Sequence, residues 1–461
     1  MSLQAAFLMP HPPIILTEVG RGEEKKIQKT LDSFQQVCKI IADLKPETII
    51  IASPHSILYG DYFHITPAGK ASGDMSRFGA SNVKFKVEYD TVLAKSIAKL
   101  AQVEGISAGF LGDDRKALDH GVMVPLYFIN KYYKDYKLVK ISLSGLPISE
   151  HYKLGMQVAQ AVQKTNKNAV FIASGDLSHK CSEVGPYGYS EKGVQFDAEL
   201  IKALKQGNFY RILEFSEEDR EAAAECGLGS LAIMAGVFDG KDVDAQVYSY
   251  ENTFGVGYGI ASFMPLADNM ERKLLDKYNA SQKSNIEKNR KNENAYIALA
   301  RLSVEHFTKY RKRVKLPDTL PNELTAQKAG VFVSLKKDGA LRGCIGTISP
   351  VRKSVAEEII YNAISACSQD PRFQSVEEWE LPSITYSVDV LTAAQPITDK
   401  NELDPQKYGV IVSYGDRKGL LLPALAGVDT VGKQLSIALS KAGILEDEPY
   451  KIERFEVIRY Q

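Results

Sequence analysis

Two short apolar runs in this chain each end on a histidine, and a third stops a few residues before one. Ala6-Phe7-Leu8-Met9-Pro10 leads into His11, and Ile49-Ile50-Ile51-Ala52-Ser53-Pro54 leads into His55. Val170-Phe171-Ile172-Ala173 passes through Ser174-Gly175-Asp176-Leu177-Ser178 to His179. Unbroken apolar runs of this length mark strands buried on both faces of a parallel sheet. Ligands and catalytic groups gather at the carboxyl ends of such strands. Three of the seven histidines therefore stand where an α/β sheet builds a site.

Residues 1–268 alternate strand-like and helix-like segments. Helical spacing is clear from Lys25 to Leu44, where Ile27, Leu31, Phe34, Val37 and Ile41 recur at intervals of three and four. Further helices are expected over 93–100 and 151–162, a strand over 137–143, and a late strand within 247–263. This alternation predicts a mainly parallel or mixed sheet with helices on both faces. Residues 269–292 are dense in Lys, Glu, Asn and Gln and read as a charged linker or a solvated helix. A new pattern then opens an amphipathic helix near Ala295, followed by strand-like runs at 330–335, 384–390 and 408–412. Residues 293–461 are therefore expected to form a second domain of α+β type.

With 57 basic and 57 acidic side chains the formal net charge is zero, which argues against nucleic acid or a membrane surface as partner. No apolar run is long enough to span a bilayer, and no basic region precedes one at the start, so a cytoplasmic location is expected. The five cysteines are scattered without a CxxC pair, as fits reduced thiols.

Two imidazoles and one carboxylate on one face of an ion leave positions open. That arrangement suits non-haem Fe(II), and zinc also accepts these ligands. Pro10, Pro12, Pro13 and Pro54 flank the first two histidines and stiffen the backbone there. Asp119-His120-Gly121 adds a fourth histidine to the same half. His64, His151 and His306 read as structural.

In the second half, Leu341-Arg342-Gly343-Cys344-Ile345-Gly346-Thr347 brackets a cysteine between glycines. A tight turn there would carry a partly accessible thiol, with Arg342 lowering its pKa. A small buried thiol at a strand bulge is the plainer reading.

These motifs meet two families. Met9-Pro10-His11-Pro12-Pro13, Ser53-Pro54-His55-Ser56, Leu118-Asp119-His120-Gly121 and Ser174 to His179 occur in the order found in the class III extradiol ring-cleavage dioxygenases. Residues 1–268 resemble this LigB-like superfamily, which includes the Memo proteins. The resemblance implies Fe(II) as cofactor, with Zn or Cu as alternatives, and His11 and His55 as its imidazole ligands. It implies a small aromatic diol and dioxygen as partners in reaction. His179 would be the catalytic acid and base, and His120 would hydrogen-bond substrate or dioxygen. The family's third ligand is a glutamate, best matched by Glu225 in Ala224-Glu225-Cys226-Gly227; Memo-like relatives carry a cysteine, which would be Cys226. Glu251 is a weaker option. A non-redox Memo-like protein that binds metal or ligand, or acts as a scaffold, is the alternative function.

Residues 293–461 resemble the AMMECR1 family through the Arg342–Thr347 motif, Asp370-Pro371-Arg372-Phe373 and Gly419-Leu420-Leu421-Leu422-Pro423. Ser440 departs from it, since relatives often carry cysteine there. The resemblance implies a groove, with Arg342, Cys344 and Arg372 as its candidate residues for an anionic ligand. The whole chain looks like a fused protein of the AmmeMemoRadiSam system, which implies a radical SAM enzyme as partner. A homo-oligomer is also compatible with the sequence.

Overall fold

Six strands organise the first half of the chain: β1 (Leu3–Met9), β2 (Thr48–Ser53), β3 (Lys137–Ser142), β4 (Ala169–Ser174), β5 (Lys241–Glu251) and β6 (Tyr258–Asp268). Their order in the sheet is β3-β2-β4-β1-β6-β5. The first four are parallel, and β6 and β5 are added antiparallel. The computed structural model describes residues 3–67, 69–112, 117–291, 293–337, 339–425 and 427–461. It divides into two compact units between Ala280 and Ser281.

Alternation along each parallel strand feeds two cores. Ala6, Leu8, Ile50, Ala52 and Phe171 point to one face, where helices Ile148–Lys164 and Leu228–Val237 cover them. Ala5, Phe7, Met9, Ile49, Ile51 and Ile172 point to the other, against helices Gln28–Leu44 and His120–Ile129. This is the expected mixed sheet with helices on both faces. The single late strand expected within 247–263 is instead the hairpin of β5 and β6.

The charged segment 269–292 holds the helix Leu274–Lys291, whose first turn buries Leu274, Leu275 and Tyr278; residue 292 lies outside the described residues. Asn294 then caps helix Ala295–Tyr310 by accepting from the N–H groups of Tyr296 and Ile297.

The second unit is α+β. Its strands are β7 (Val331–Lys337), β8 (Ala340–Gly346), β9 (Ile384–Leu391), β10 (Gln395–Ile397), β11 (Gly409–Tyr414), β12 (Arg417–Leu421), β13 (Lys451–Phe455) and β14 (Val457–Tyr460). They form two antiparallel sheets of order β8-β7-β9-β14 and β10-β13-β11-β12. Helices Ala295–Tyr310 and Val355–Ser368 pack on the first sheet through Val331, Val333, Leu335 and Val388. No described helix is long and apolar enough to cross a membrane.

Candidate metal centre

The parallel register carries three strand ends to one edge of the sheet. Met9 stands beside Ser174, and Ala52 beside Ala173. The segments leaving β1, β2 and β4 hold His11, His55 and the 175–179 loop, so these groups emerge side by side.

His11 is 1% exposed. Its Nδ1 lies 2.9 Å from Ser174 Oγ, and that hydroxyl donates to the Gly121 carbonyl. The serine oxygen therefore accepts from Nδ1–H, which leaves Nε2 as the basic nitrogen of the ring. His55 Nε2 lies 2.8 Å from this atom, and Cys226 Sγ lies 3.7 Å from it. One ligand atom from each of the three residues falls within 4.8 Å of the others. Burial lowers the pKa of both imidazoles, and for His11 the nearby His55 lowers it further. Neutral imidazole is the form that binds a metal. Burial, then the Asp176 carboxylate, pushes the Cys226 thiol up, so a metal would have to displace its proton.

Glu225, expected beside the two imidazoles, turns to other partners in this structure. Its Oε1 accepts from Arg220 Nε at 2.9 Å, and its Oε2 from the Leu228 N–H at 2.6 Å. The carboxylate thus serves the start of helix Leu228–Val237, where negative charge is favoured. Ala224, at φ 51°, ends the preceding helix and turns the chain, so adjacent side chains reach different partners. Cys226 Sγ is the third atom of ligand type that joins the two imidazoles. A glycine contact permits its approach: a Cβ on Gly175 would lie 2.2 Å from Gly227 Cα. Across that contact the Asp176 N–H donates to Cys226 Sγ, and the Cys226 N–H to the Asp176 carbonyl, each at 3.3 Å. Glu251 is elsewhere, accepting from the Thr30 N–H and hydroxyl at 2.7 Å each.

His120 and His179 flank the three groups. The His120 ring centroid is 3.9 Å from that of His55 and 5.4 Å from that of His11. Burial, with both of those rings beside it, pushes its pKa down to about 3. Asp119 caps the helix that begins at His120. It also accepts from the hydroxyls of Ser53 at 2.6 Å and Ser56 at 2.7 Å, on either side of His55. Burial opposes its charge, but Lys140 at 4.0 Å and the two serines hold its carboxyl below the usual value. Gly121 leaves room for this network, since a Cβ there would meet Ser53 Oγ at 2.3 Å.

His179 lies 5.0 Å, centroid to centroid, from Tyr187, and its Nε2 has no hydrogen-bond partner among the described residues. Burial lowers its pKa, against the raising effect of Asp176 and Glu225. Asp176 accepts from the His11 N–H at 2.8 Å, and burial raises its pKa to about 6. The His179 segment is fixed from below by Asp197, which accepts from the Ser178 N–H and the Tyr250 hydroxyl, both at 2.7 Å. Sequence reasoning missed Ser174, Tyr187 and Asp197. Only Ser174 left a trace, as part of the Ser174–His179 motif.

In the second unit, Arg342 forms two bonds to Glu380 at 3.0 and 2.9 Å and a third to the Gln374 carbonyl at 2.8 Å. Arg372 grips Asp370 at 2.9 and 2.7 Å and reaches the Cys344 carbonyl at 3.2 Å. Both guanidiniums are engaged by protein groups. Cys344 accepts from Ser334 Oγ at 3.1 Å. Elsewhere, His151 is buried, with its Nδ1 3.1 Å from the Pro147 carbonyl, and His306 bonds the Lys312 carbonyl.

Residues 5–261 match the family model described as the catalytic LigB subunit of aromatic ring-opening dioxygenase, and residues 297–461 match the AMMECR1 family. A protein of Clostridium acetobutylicum is 45% identical over 469 residues and is covered in full, as is this chain. A protein of Thermotoga maritima is 49% identical over 171 residues, which cover 37% of this chain and 98% of that protein. The crystal structure of an uncharacterized protein from Pyrococcus horikoshii is 31% identical, with 36% of this chain and 88% of that one covered and a TM-score of 0.33.

Proposed function

The chain belongs to the LigB family and carries an AMMECR1 domain, and from that premise we propose that its first unit is a metal-dependent enzyme acting on a small catechol-like molecule. The observation that supports this is the convergence of His11 Nε2, His55 Nε2 and Cys226 Sγ within 4.8 Å. The donor set fits a metal ion, though not as two histidines and Glu225. A thiolate in the third position favours softer metals such as zinc or copper(I) relative to an all-nitrogen-and-oxygen set, while iron remains the family's expectation. A metal bound there would polarise a substrate oxygen, and a redox-active one would also support oxidation by dioxygen.

The chain's own residues would handle the protons and the orientation. His179, whose pKa burial lowers and whose Nε2 has no hydrogen-bond partner among the described residues, would take a hydroxyl proton from a bound diol and return it later. His120, held neutral, would hydrogen-bond a ligand oxygen beside His55. Ser174 fixes the His11 tautomer, and Asp119 steadies the segment around His55 through two serines.

A second reading, a metal-binding protein without ring opening, is favoured by one observation: the third group beside the two imidazoles is the Cys226 thiol and not the Glu225 carboxylate. One experiment separates the two. Full-length protein is loaded anaerobically with Fe(II), Zn(II) or Cu(I), then exposed to oxygen with a panel of catechols. The enzyme reading expects oxygen uptake and ring-cleavage absorbance that vanish in His179→Ala while metal is retained. Stoichiometric metal without oxygen uptake supports the second reading, and no metal in any form defeats both.

A further inference from the structure

The first sheet of the second unit has two unlike faces. Val331, Val333 and Leu335 of β7 enter the core. The alternate residues Ser334 and Lys336 therefore belong to the opposite face. Register sets Ser334 beside Cys344 on one flank and Ser387 on the other, and Lys336 beside Thr385. Small side chains in that row leave depth where larger strand formers would fill it. A cavity of about 520 Å³ occupies the space, lined by Ser334, Lys336, Thr385 and Ser387 with the apolar Ile286, Ile297 and Leu341. That volume lies inside the range of small-molecule sites, roughly 300–1,000 Å³.

The charges around it are unequally spent. Arg459 also lines the cavity but is bound to both oxygens of Asp389, at 2.8 and 2.7 Å. Arg290 bonds the Leu381 carbonyl at 3.1 Å and lies 3.5 Å from Glu305. The one acidic side chain in the wall, Glu293, takes two bonds from Arg301, at 3.0 and 2.9 Å. Lys336 alone among these has no ion pair with the described residues. The side chains of the wall thus carry one positive charge with no ion pair among the described residues, the four hydroxyl groups of Ser334, Thr385, Tyr386 and Ser387, the Gln461 amide and an apolar flank.

We infer that this cavity binds a small organic acid, with its carboxylate at Lys336 and the Ser387 hydroxyl and its apolar body against Ile286, Ile297 and Leu341. A lysine ammonium supplies the counter-charge and Ser387 a neutral donor to the same oxygens, while the Ser334 hydroxyl is spent on Cys344 and that of Thr385 on the Lys336 carbonyl. One free cation matches a monoanion. Arg342 and Arg372, locked to Glu380 and Asp370, take no part. The inference stands apart from the metal centre, since every residue it uses lies in the second unit.

Cys344 reports on the site because its sulfur touches Ser334 and is partly accessible. In full-length protein, its alkylation by iodoacetamide is followed by peptide mass spectrometry, with Cys181 as the internal control. Benzoate is the acidic probe, and benzyl alcohol its neutral counterpart. Benzoate at millimolar concentration should slow alkylation of Cys344 and leave Cys181 unchanged, while benzyl alcohol protects neither. Lys336→Gln, at an exposed position, should weaken benzoate protection by about threefold to fivefold, the size of one exposed charge pair. Ser387→Leu, which fills the cavity, should abolish it. Absence of benzoate protection overturns the inference, as does equal protection by the alcohol or protection undiminished in Lys336→Gln.

Discussion

Glu225 and Cys226 are neighbours in sequence and strangers in space. Two histidines at strand ends are legible as candidate ligands because the strand pattern itself places them at the sheet's carboxyl edge. The third group is not, because its identity turns on one backbone torsion. Ala224 sits in the left-handed region, and that single turn sends Glu225 to Arg220 and the Leu228 N–H and Cys226 to His11. No periodicity in the sequence encodes it. The consequence is measurable. Cys226→Ser should weaken zinc binding by more than about tenfold, beyond the lower end of what loss of an outer partner causes. Glu225→Gln should leave zinc affinity within about twofold, since its carboxylate touches no ligand atom. Competition with a chromophoric chelator measures both variants. Equal losses, or the larger loss in Glu225→Gln, would return the ligand role to the carboxylate.

Elements read clearly when one physical demand dominates them. β1, β2 and β4 are buried on both faces, so their apolar runs stand out from sequence. β5 is an edge strand with half-buried polar residues along most of its length, and its pattern dissolves into the Tyr- and Gly-rich stretch that follows. The junctions between elements are harder still, because they rest on contacts between glycines far apart in sequence. The 175–179 loop meets the 225–227 segment at Gly175 and Gly227, with no room for a methyl group. Gly175→Ala should push Cys226 away from the histidines and destabilise the first unit by about 1–3 kcal/mol, the usual cost of overpacking. The two effects should appear together: weaker zinc binding by chelator competition and unfolding of the first unit at lower urea. Full metal affinity in a destabilised Gly175→Ala protein would show that the glycine contact does not position the thiol.

On the scale of the molecule, the two units differ in what acid does to them. The first holds five histidines whose pKa is lowered: His11, His55, His120, His151 and His179. Desolvation is the leading cause in each, and for His151 it brings the value to about 4. A histidine held neutral in the fold takes up its proton on unfolding near its ordinary pKa. Its contribution is therefore complete above about pH 6.5 and is lost as pH falls toward the folded value, at about 1.4 kcal/mol per pH unit for each group. Asp176 and Asp197 act in the opposite sense, because burial raises both to about 6 and the fold gains as they protonate. Five groups oppose two, so metal-free protein should lose stability in its first unit between pH 7 and pH 5. The second unit has one histidine, His306, and its depressed carboxyls at Asp370 and Glu380 yield only below the ordinary carboxylate range. It also holds the chain's single tryptophan, Trp379. Urea unfolding followed by tryptophan fluorescence therefore watches the second unit, while far-ultraviolet circular dichroism watches both. From pH 7 to pH 5 the fluorescence midpoint should stay nearly fixed as the dichroism transition that fluorescence does not follow moves to lower urea. A first-unit transition that holds steady or strengthens over this range would mean that the imidazoles at the sheet edge are not kept neutral by burial.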